Sequence, residues 1–361
     1  MKKISALIIA LLLVWCGFLS YQVFDLRTQL SSTDSERKVI DATVTRISSD
    51  LTKLMEICET KIVAVVTYRN NQITTYGSGI IYQASPERVL IVTNYHIIEN
   101  TSSYKVRFAS GQQLDASLVG FDNLTDLAVL AVTVDFTAEP FKLGDSSIVA
   151  LGEYVVALGS PLNLDFNGTM SFGIISAKDW QLPVDLDKDG IADWDNLIMQ
   201  TDALIDYGNS GGALVNMAGE LIGITSIRFK EENGPATKMV IPINEVVALV
   251  EQIKENGIVK RIQLGISAWG ISAMSNREKT FNSIDLAINN GIYVTAVIPG
   301  SAAEKAGIKP GDIVNKIGDV TIIDFKQYRS ELYKLKADQS VVLEIIRDGQ
   351  KRTLELQLPS H

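Results

Sequence analysis

The hydrophobic and polar positions of this chain change their period several times, and each change marks a different kind of element. After Met1-Lys2-Lys3 runs an uncharged stretch from Ile4 to Phe24. As a helix it would span roughly 31 Å, about the hydrocarbon thickness of a bilayer. Residues 25–38 are polar and read as a stem. Ile40, Val44, Ile47, Leu51, Leu54 and Cys58 then recur at spacings of four and three, the seam of an amphipathic helix. A short coiled coil and a helix packed on the body of the protein both fit that seam. From Lys61 to about Ile243 the pattern becomes short apolar runs, among them Ile62–Tyr68, Gly77–Tyr82, Val89–Thr93, Tyr104–Phe108, Tyr154–Leu158 and Leu221–Ile227. Gly, Asn, Asp and Pro separate them, which predicts an all-β barrel or sandwich. A helix is predicted from Asn244 to about Glu255, with Val247, Val250 and Ile253 on one face and Gly257 as its stop. Residues 258–262 read as a linker. A smaller mixed unit follows, with helices near Ser301–Ala306 and Phe325–Leu335.

Composition narrows the setting. The 361 residues exceed what one ordinary core supports, so two or more folded units are expected. Net charge is −9, and from Lys260 onward 14 Lys/Arg stand against 11 Asp/Glu, which concentrates acidity in the larger part. An acidic body without a basic stripe argues against nucleic acid as a partner. Cys16 and Cys58 make neither a plausible intrachain disulfide nor a metal cluster. No small-x-small cleavage site follows the first apolar stretch, so an uncleaved anchor is favoured over a signal peptide. Lysines on its N-terminal side place that end in the cytoplasm and the rest outside the cell membrane, as a single-pass protein.

Three residues carry candidate chemistry. In Gly208-Asn209-Ser210-Gly211-Gly212, glycines flank a serine as a tight turn requires. There Ser210 would present its Oγ, and the N–H groups of Gly208 and Ser210 would face a developing oxyanion. A flexible Gly/Ser loop is the alternative. Serine needs a base at neutral pH, and the only histidine apart from the terminal His361 is His96, at the end of the apolar strand Val92-Thr93. Asp126 opens the apolar run Leu127-Ala128-Val129-Leu130, a place from which an aspartate can orient an imidazole. The order His96, Asp126, Ser210 in an all-β context is the chymotrypsin-like order.

From about Thr60 to His361 the chain resembles the HtrA (Deg) family of serine proteases. The resemblance rests on Thr93-Asn94-Tyr95-His96, Thr125-Asp126-Leu127-Ala128-Val129, Gln200-Thr201-Asp202-Ala203 and Gly208–Gly212. Leu264-Gly265-Ile266, Gly291–Val294, Pro299–Ala303 and Gly307–Asp312 extend it with a PDZ-like pattern. It implies a mainly β protein: a chymotrypsin-like double β-barrel followed by an α+β PDZ domain, here preceded by one transmembrane helix. The implied division is 1–24 cytoplasmic tip and anchor, 25–59 stem and helix, 60–257 protease, 258–361 PDZ domain. Also implied are a homotrimer, unfolded or misfolded exported proteins as substrates, and C-terminal peptides bound by Leu264, Gly265 and Ile266 at the PDZ domain. No cofactor is required for such chemistry. A non-proteolytic chaperone or scaffold and a signalling protease with one dedicated substrate are the other readings.

The chain departs from the family pattern in places. Ala213 stands where proline usually follows Gly-Gly, Tyr207 where proline or arginine is common, and Lys238–Pro242 where a glycine-rich loop lines the specificity pocket. Small aliphatic residues before the cut are the expectation from resemblance. Residues 185–196 add an acidic loop in which Asp185, Asp187, Asp189, the Ile191 carbonyl and Asp193 occupy the ligand positions of a calcium loop. Asn196 replaces the closing glutamate, so weak calcium binding and a solvated acidic turn both remain open.

Overall fold

The computed structural model describes residues 15, 17–25, 46, 48–160, 168–184, 194–206, 208–227 and 239–359. The chain divides into two compact units, Met1–Ile57 and Cys58–His361. In the first, residues 17–25 and 48–57 are helical. Most of the apolar stretch Ile4–Phe24 lies outside the described residues, and among those described no helix is long and apolar enough to cross a membrane. Ile40, Val44 and Ile47 of the seam also lie outside them, whereas Leu51 and Leu54 fall on one helix face, half-buried and buried.

The second unit begins with the free, buried thiol of Cys58, which burial pushes up against the pull of Lys61. Two closed barrels follow. The first comprises β1 (Ile62–Arg69), β2 (Gln72–Ala84), β3 (Arg88–Thr93), β4 (Ser103–Arg107), β5 (Gln113–Asp122) and β6 (Leu127–Thr133), in the order β1-β2-β3-β6-β5-β4. The second comprises β7 (Tyr154–Gly159), β8 (Thr169–Val184), β9 (Trp194–Thr201), β10 (Ala213–Asn216), β11 (Leu221–Ser226) and β12 (Met239–Pro242), in the order β10-β11-β12-β9-β8-β7. β-branched residues fill the strands because their stiff side chains suit a pleated surface. Closure removes the exposed edges that so many short strands would otherwise leave. Continuous apolar runs such as Leu127–Val132 are buried along their whole length. Val65, Ile91 and Leu130 belong to the first core; Val155, Leu214 and Val240 belong to the second. Truncating one such residue to alanine removes about 2–5 kcal/mol.

The helix Ile243–Asn256 lies where its apolar spacing predicts and ends at Gly257 in the left-handed conformation. After the linker, β13 (Ile266–Gly270), β14 (Ile292–Val297), β15 (Ile313–Ile317), β17 (Ser340–Arg347) and β18 (Gln350–Gln357) form a sheet in that order. β16 (Val320–Thr321) pairs with β15. β13 is therefore an edge strand, and the helix Phe325–Lys334 contributes Phe325, Tyr328 and Leu332 to the core beside it.

Two elements differ from the sequence reading. The helix Asn276–Phe281 is absent from it: Ser275 and Glu278 form a reciprocal capping box, but the segment is too short to show a period. β8 is a much longer arm than the short runs read from the sequence, and it pairs with β9 as far as Val184↔Trp194. Lys178, Asp179 and Pro183 make this arm look like loop. It is a strand because β9 supplies the ladder and because Trp194 and Leu197 are packed into the core of the C-terminal sheet.

Candidate active site

Each of the three candidate residues is presented by a different local device. His96 lies in the one-turn helix Tyr95–Ile98, directly after β3. Asp126 ends the β5–β6 turn with φ +60°, a left-handed conformation that few residues other than glycine adopt. That conformation is held from the adjacent strand end, since the Asp126 carbonyl accepts from Tyr95 N–H at 3.1 Å and Asn94 Nδ2 at 2.9 Å. The Asp126 carboxylate is fully buried. Its Oδ1 accepts from the His96 N–H at 2.9 Å, and its Oδ2 meets His96 Nδ1 at 2.8 Å. Ser226 Oγ, at the end of β11, donates to the same Oδ2 at 2.8 Å. Three donors thus converge on the buried carboxylate, which fixes the orientation of the ring.

Ser210 sits on the turn between β9 and β10, across the cleft between the barrels. Gly211 there has φ +81°, and a Cβ on it would come within 2.2 Å of the Ser78 carbonyl oxygen, so only glycine fits. Ser78 clamps the turn: its N–H donates to Ser210 O at 2.8 Å and its Oγ to Gly208 O at 2.5 Å. Ser160 N–H in turn donates to Ser78 Oγ at 2.7 Å. Thr225 Oγ1 donates to Asn209 O at 2.6 Å, and Thr169 Oγ1 donates to Asn209 Oδ1 at 2.7 Å. With the carbonyls of Gly208, Asn209 and Ser210 all engaged, the turn leaves two backbone donors over. The N–H groups of Gly208 and Ser210 donate to no group among the described residues. Ser210 Oγ is buried and likewise makes no hydrogen bond, so the link from this hydroxyl to His96 is not closed in this state.

Ser78 and Ser226 were not singled out by sequence reasoning. Gly77-Ser78-Gly79 offered a faint signal for the first, and nothing in the sequence marks the second. Of the specificity positions, Tyr207 and Lys238 lie outside the described residues, while Met239–Pro242 form the buried strand β12. Ala213 opens β10 and pairs with both Leu158 and Ile224.

The calcium-loop candidates Asp185, Asp187, Asp189, Ile191 and Asp193 lie outside the described residues. Asn196, at the closing position, donates its Nδ2 to the Leu124 carbonyl at 2.6 Å, in the turn that leads to Asp126. Asp122, at the other end of that turn, pairs with Arg261 of the linker, Nη1 to Oδ1 at 2.5 Å, and also accepts from the Thr125 N–H at 3.0 Å. Burial alone would raise this carboxyl; the guanidinium and the Thr125 donors outweigh it and hold it below its ordinary value.

Leu264, Gly265 and Ile266 lie at the start of β13. Gly265 has φ +82°, and its carbonyl accepts from Ile298 N–H at 2.9 Å. The N–H groups of Leu264 and Gly265 donate to nothing among the described residues, and both residues line a groove between β13 and the helix Phe325–Lys334. An edge strand, an apolar helix face and free N–H groups at one end together suit an added peptide strand ending in a carboxylate.

Comparison with known proteins agrees with this geometry. Residues 77–224 match the trypsin-like peptidase domain family, and residues 264–358 match the PDZ domain family. The chain is 35% identical over 292 residues to "Serine protease Do-like HtrA" of Lactococcus lactis subsp. lactis (strain IL1403), covering 80% of this chain and 71% of that one. It is 33% identical over 328 residues to "Serine protease Do-like HtrB" of Bacillus subtilis (strain 168), covering 86% and 71%. Among solved structures, "HtrA-type protease AlgW with tripeptide" superimposes with a TM-score of 0.65 at 27% identity, over 85% of this chain and 96% of that one. The "serine endoprotease from Yersinia pestis" gives 0.58 at 28% identity, over 85% and 97%.

Proposed function

The chain belongs to the HtrA family of serine proteases, and from that premise we propose that Ser210, His96 and Asp126 are its catalytic triad. Ser210 Oγ attacks the carbonyl carbon of the scissile peptide bond while His96 takes its proton. The negative charge that develops on the carbonyl oxygen is met by the N–H groups of Gly208 and Ser210. His96 then gives its proton to the leaving amine, and water hydrolyses the acyl-enzyme by the same route. Asp126 keeps the imidazole in the required tautomer and stabilises the imidazolium. The observation that carries this reading is the pair of unused N–H groups in a turn whose Gly208, Asn209 and Ser210 carbonyls all accept hydrogen bonds. Donors left over in a clamped turn are preorganised for charge that appears only during reaction.

The enzyme is a serine endopeptidase. Its proposed setting is the extracytoplasmic face of the cell membrane, held by Ile4–Phe24 and assembled as a homotrimer, with misfolded exported proteins as substrates. Its PDZ domain would bind the C-terminal residues of peptides and regulate the protease. Labelling with a fluorophosphonate tests the triad. The wild-type protein is expected to label in the presence of a hydrophobic C-terminal peptide, and Ser210→Ala is expected not to. Absence of labelling in the wild type would leave a peptide-binding scaffold instead. Degradation of unfolded casein by the unlabelled wild-type enzyme would separate a general degrader from a protease with a single substrate.

A further inference from the structure

The β8–β9 hairpin of the second barrel reaches the peptide groove and occupies one of its walls. Alternation along β13 decides which main-chain groups face outward. Ile271 N–H donates to Gly291 O at 3.0 Å, so odd-numbered positions at this end point to β14 and Ala268 and Gly270 point away from it. Those outward groups are not free. Gln181 Nε2 donates to Ala268 O at 3.3 Å, and Gly270 N–H donates to Gln181 Oε1 at 3.3 Å. A primary amide carries one donor side and one acceptor, the same pair that a peptide unit offers, and here it satisfies two groups of a sheet edge that an added strand would satisfy.

Two further residues of the arm are fastened to the opposite wall. Asp179 pairs with Lys326 at 2.9 Å, and the Asp195 carbonyl accepts from Arg329 Nη1. Trp194 lines the groove and lies between two guanidinium groups, Arg261 at 4.8 Å and Arg329 at 4.6 Å from its ring centre. Strand edge and helix are thus bridged by one element of the neighbouring domain, while the N–H groups of Leu264 and Gly265 at the other end stay unused.

We propose that Gln181 stands in for ligand main chain on the outer edge of β13, so that the groove as folded takes only the last residues of a peptide and a longer peptide has to displace it. Ala268 and Gly270 lie two and four residues beyond Ile266. A strand added from a carboxylate near Ile266 reaches them with about its third to fifth residue from the end. The inference rests on reading this groove as the site of C-terminal peptides.

Fluorescence anisotropy on the full chain tests it, with a tripeptide and a decapeptide that share three C-terminal residues ending in leucine. Each carries fluorescein at its N-terminus, and each is also made with an amidated C-terminus. In the wild type the two free-acid peptides are expected to bind within about twofold of each other. In Gln181→Ala the decapeptide is expected to gain about tenfold, since two main-chain hydrogen bonds become available to it, while the tripeptide, whose third residue meets Ala268 alone, gains about threefold at most. Gln181→Glu keeps the acceptor for Gly270 and loses the donor to Ala268, and should fall between. A decapeptide that already binds the wild type about tenfold tighter, or a length preference that Gln181→Ala leaves unaltered in a protein of unchanged melting temperature, overturns the proposal. Amidated peptides that bind as well as the free acids, or no binding at all, overturn the reading of the groove itself and the proposal with it.

Discussion

The cleft between the barrels and the groove beside β13 treat unpaired backbone groups in opposite ways. In the cleft, a turn with nearly every carbonyl engaged leaves over two N–H groups, those of Gly208 and Ser210. In the groove, a whole strand edge is open by topology, and part of it is covered by the Gln181 amide. Chemistry at one atom calls for a few donors fixed rigidly, and rigidity comes from clamping everything around them. Reading a peptide calls for a run of donors and acceptors, which a sheet edge supplies without special bonding. The difference teaches where substitution should be harsh and where it should be graded.

The largest effect is expected at the clamp. Gly211→Ala places a Cβ against the Ser78 carbonyl at a left-handed φ, so the turn has to move. Fluorophosphonate labelling should disappear while circular dichroism still reports the barrels. Labelling at the wild-type rate would mean that the turn tolerates movement and that the contrast with the groove is false. Arg329→Ala comes next, on the groove side. Arg329 is buried, pairs with Glu245 at 2.9 Å and stacks on Trp194. Removing it strands a largely buried carboxylate and should cost about 3–5 kcal/mol in denaturant unfolding. A loss under about 1 kcal/mol would show that the hairpin is only lightly attached to the groove.

Ser226→Ala removes one donor from the Asp126 carboxylate and keeps the two from His96. A hydrogen bond to a charged group is worth about 1.5–3 kcal/mol, so kcat/KM should fall about tenfold to a hundredfold with KM little changed. An unchanged rate would mean that the histidine alone holds the carboxylate.

The smallest effect concerns acid. Asp122 is held below its ordinary value by Arg261 and Thr125, which outweigh burial. A depressed folded value contributes stability that is complete above the unfolded value and lost as pH falls through the folded one. The melting temperature should therefore drop below about pH 4 more steeply in the wild type than in an Asp122→Asn/Arg261→Gln double variant. Parallel curves would show that this pair does not fasten the turn to the linker.

Much of this protein is determined by its sequence alone. The alternation of apolar runs and breakers from Ile62 to Ile243 dictates strands, because burying one pleated face is what such runs are able to do. Asn209-Ser210-Gly211-Gly212 favours a tight turn because two successive glycines free the backbone to adopt it. His96 stands out because the only other histidine in the sequence is the terminal His361. Tertiary structure alone decided the partners of these groups. Ser226 reaches Asp126 across 100 residues, Ser78 reaches Gly208 across 130, and Gln181 reaches Ala268 across 87. A serine or glutamine at such a position has no local signature, because its role is set by where another strand's carbonyl or carboxylate comes to rest. The full length of β8 was hidden for the same reason: its outer half is strand only because β9 and the C-terminal sheet are there to receive it.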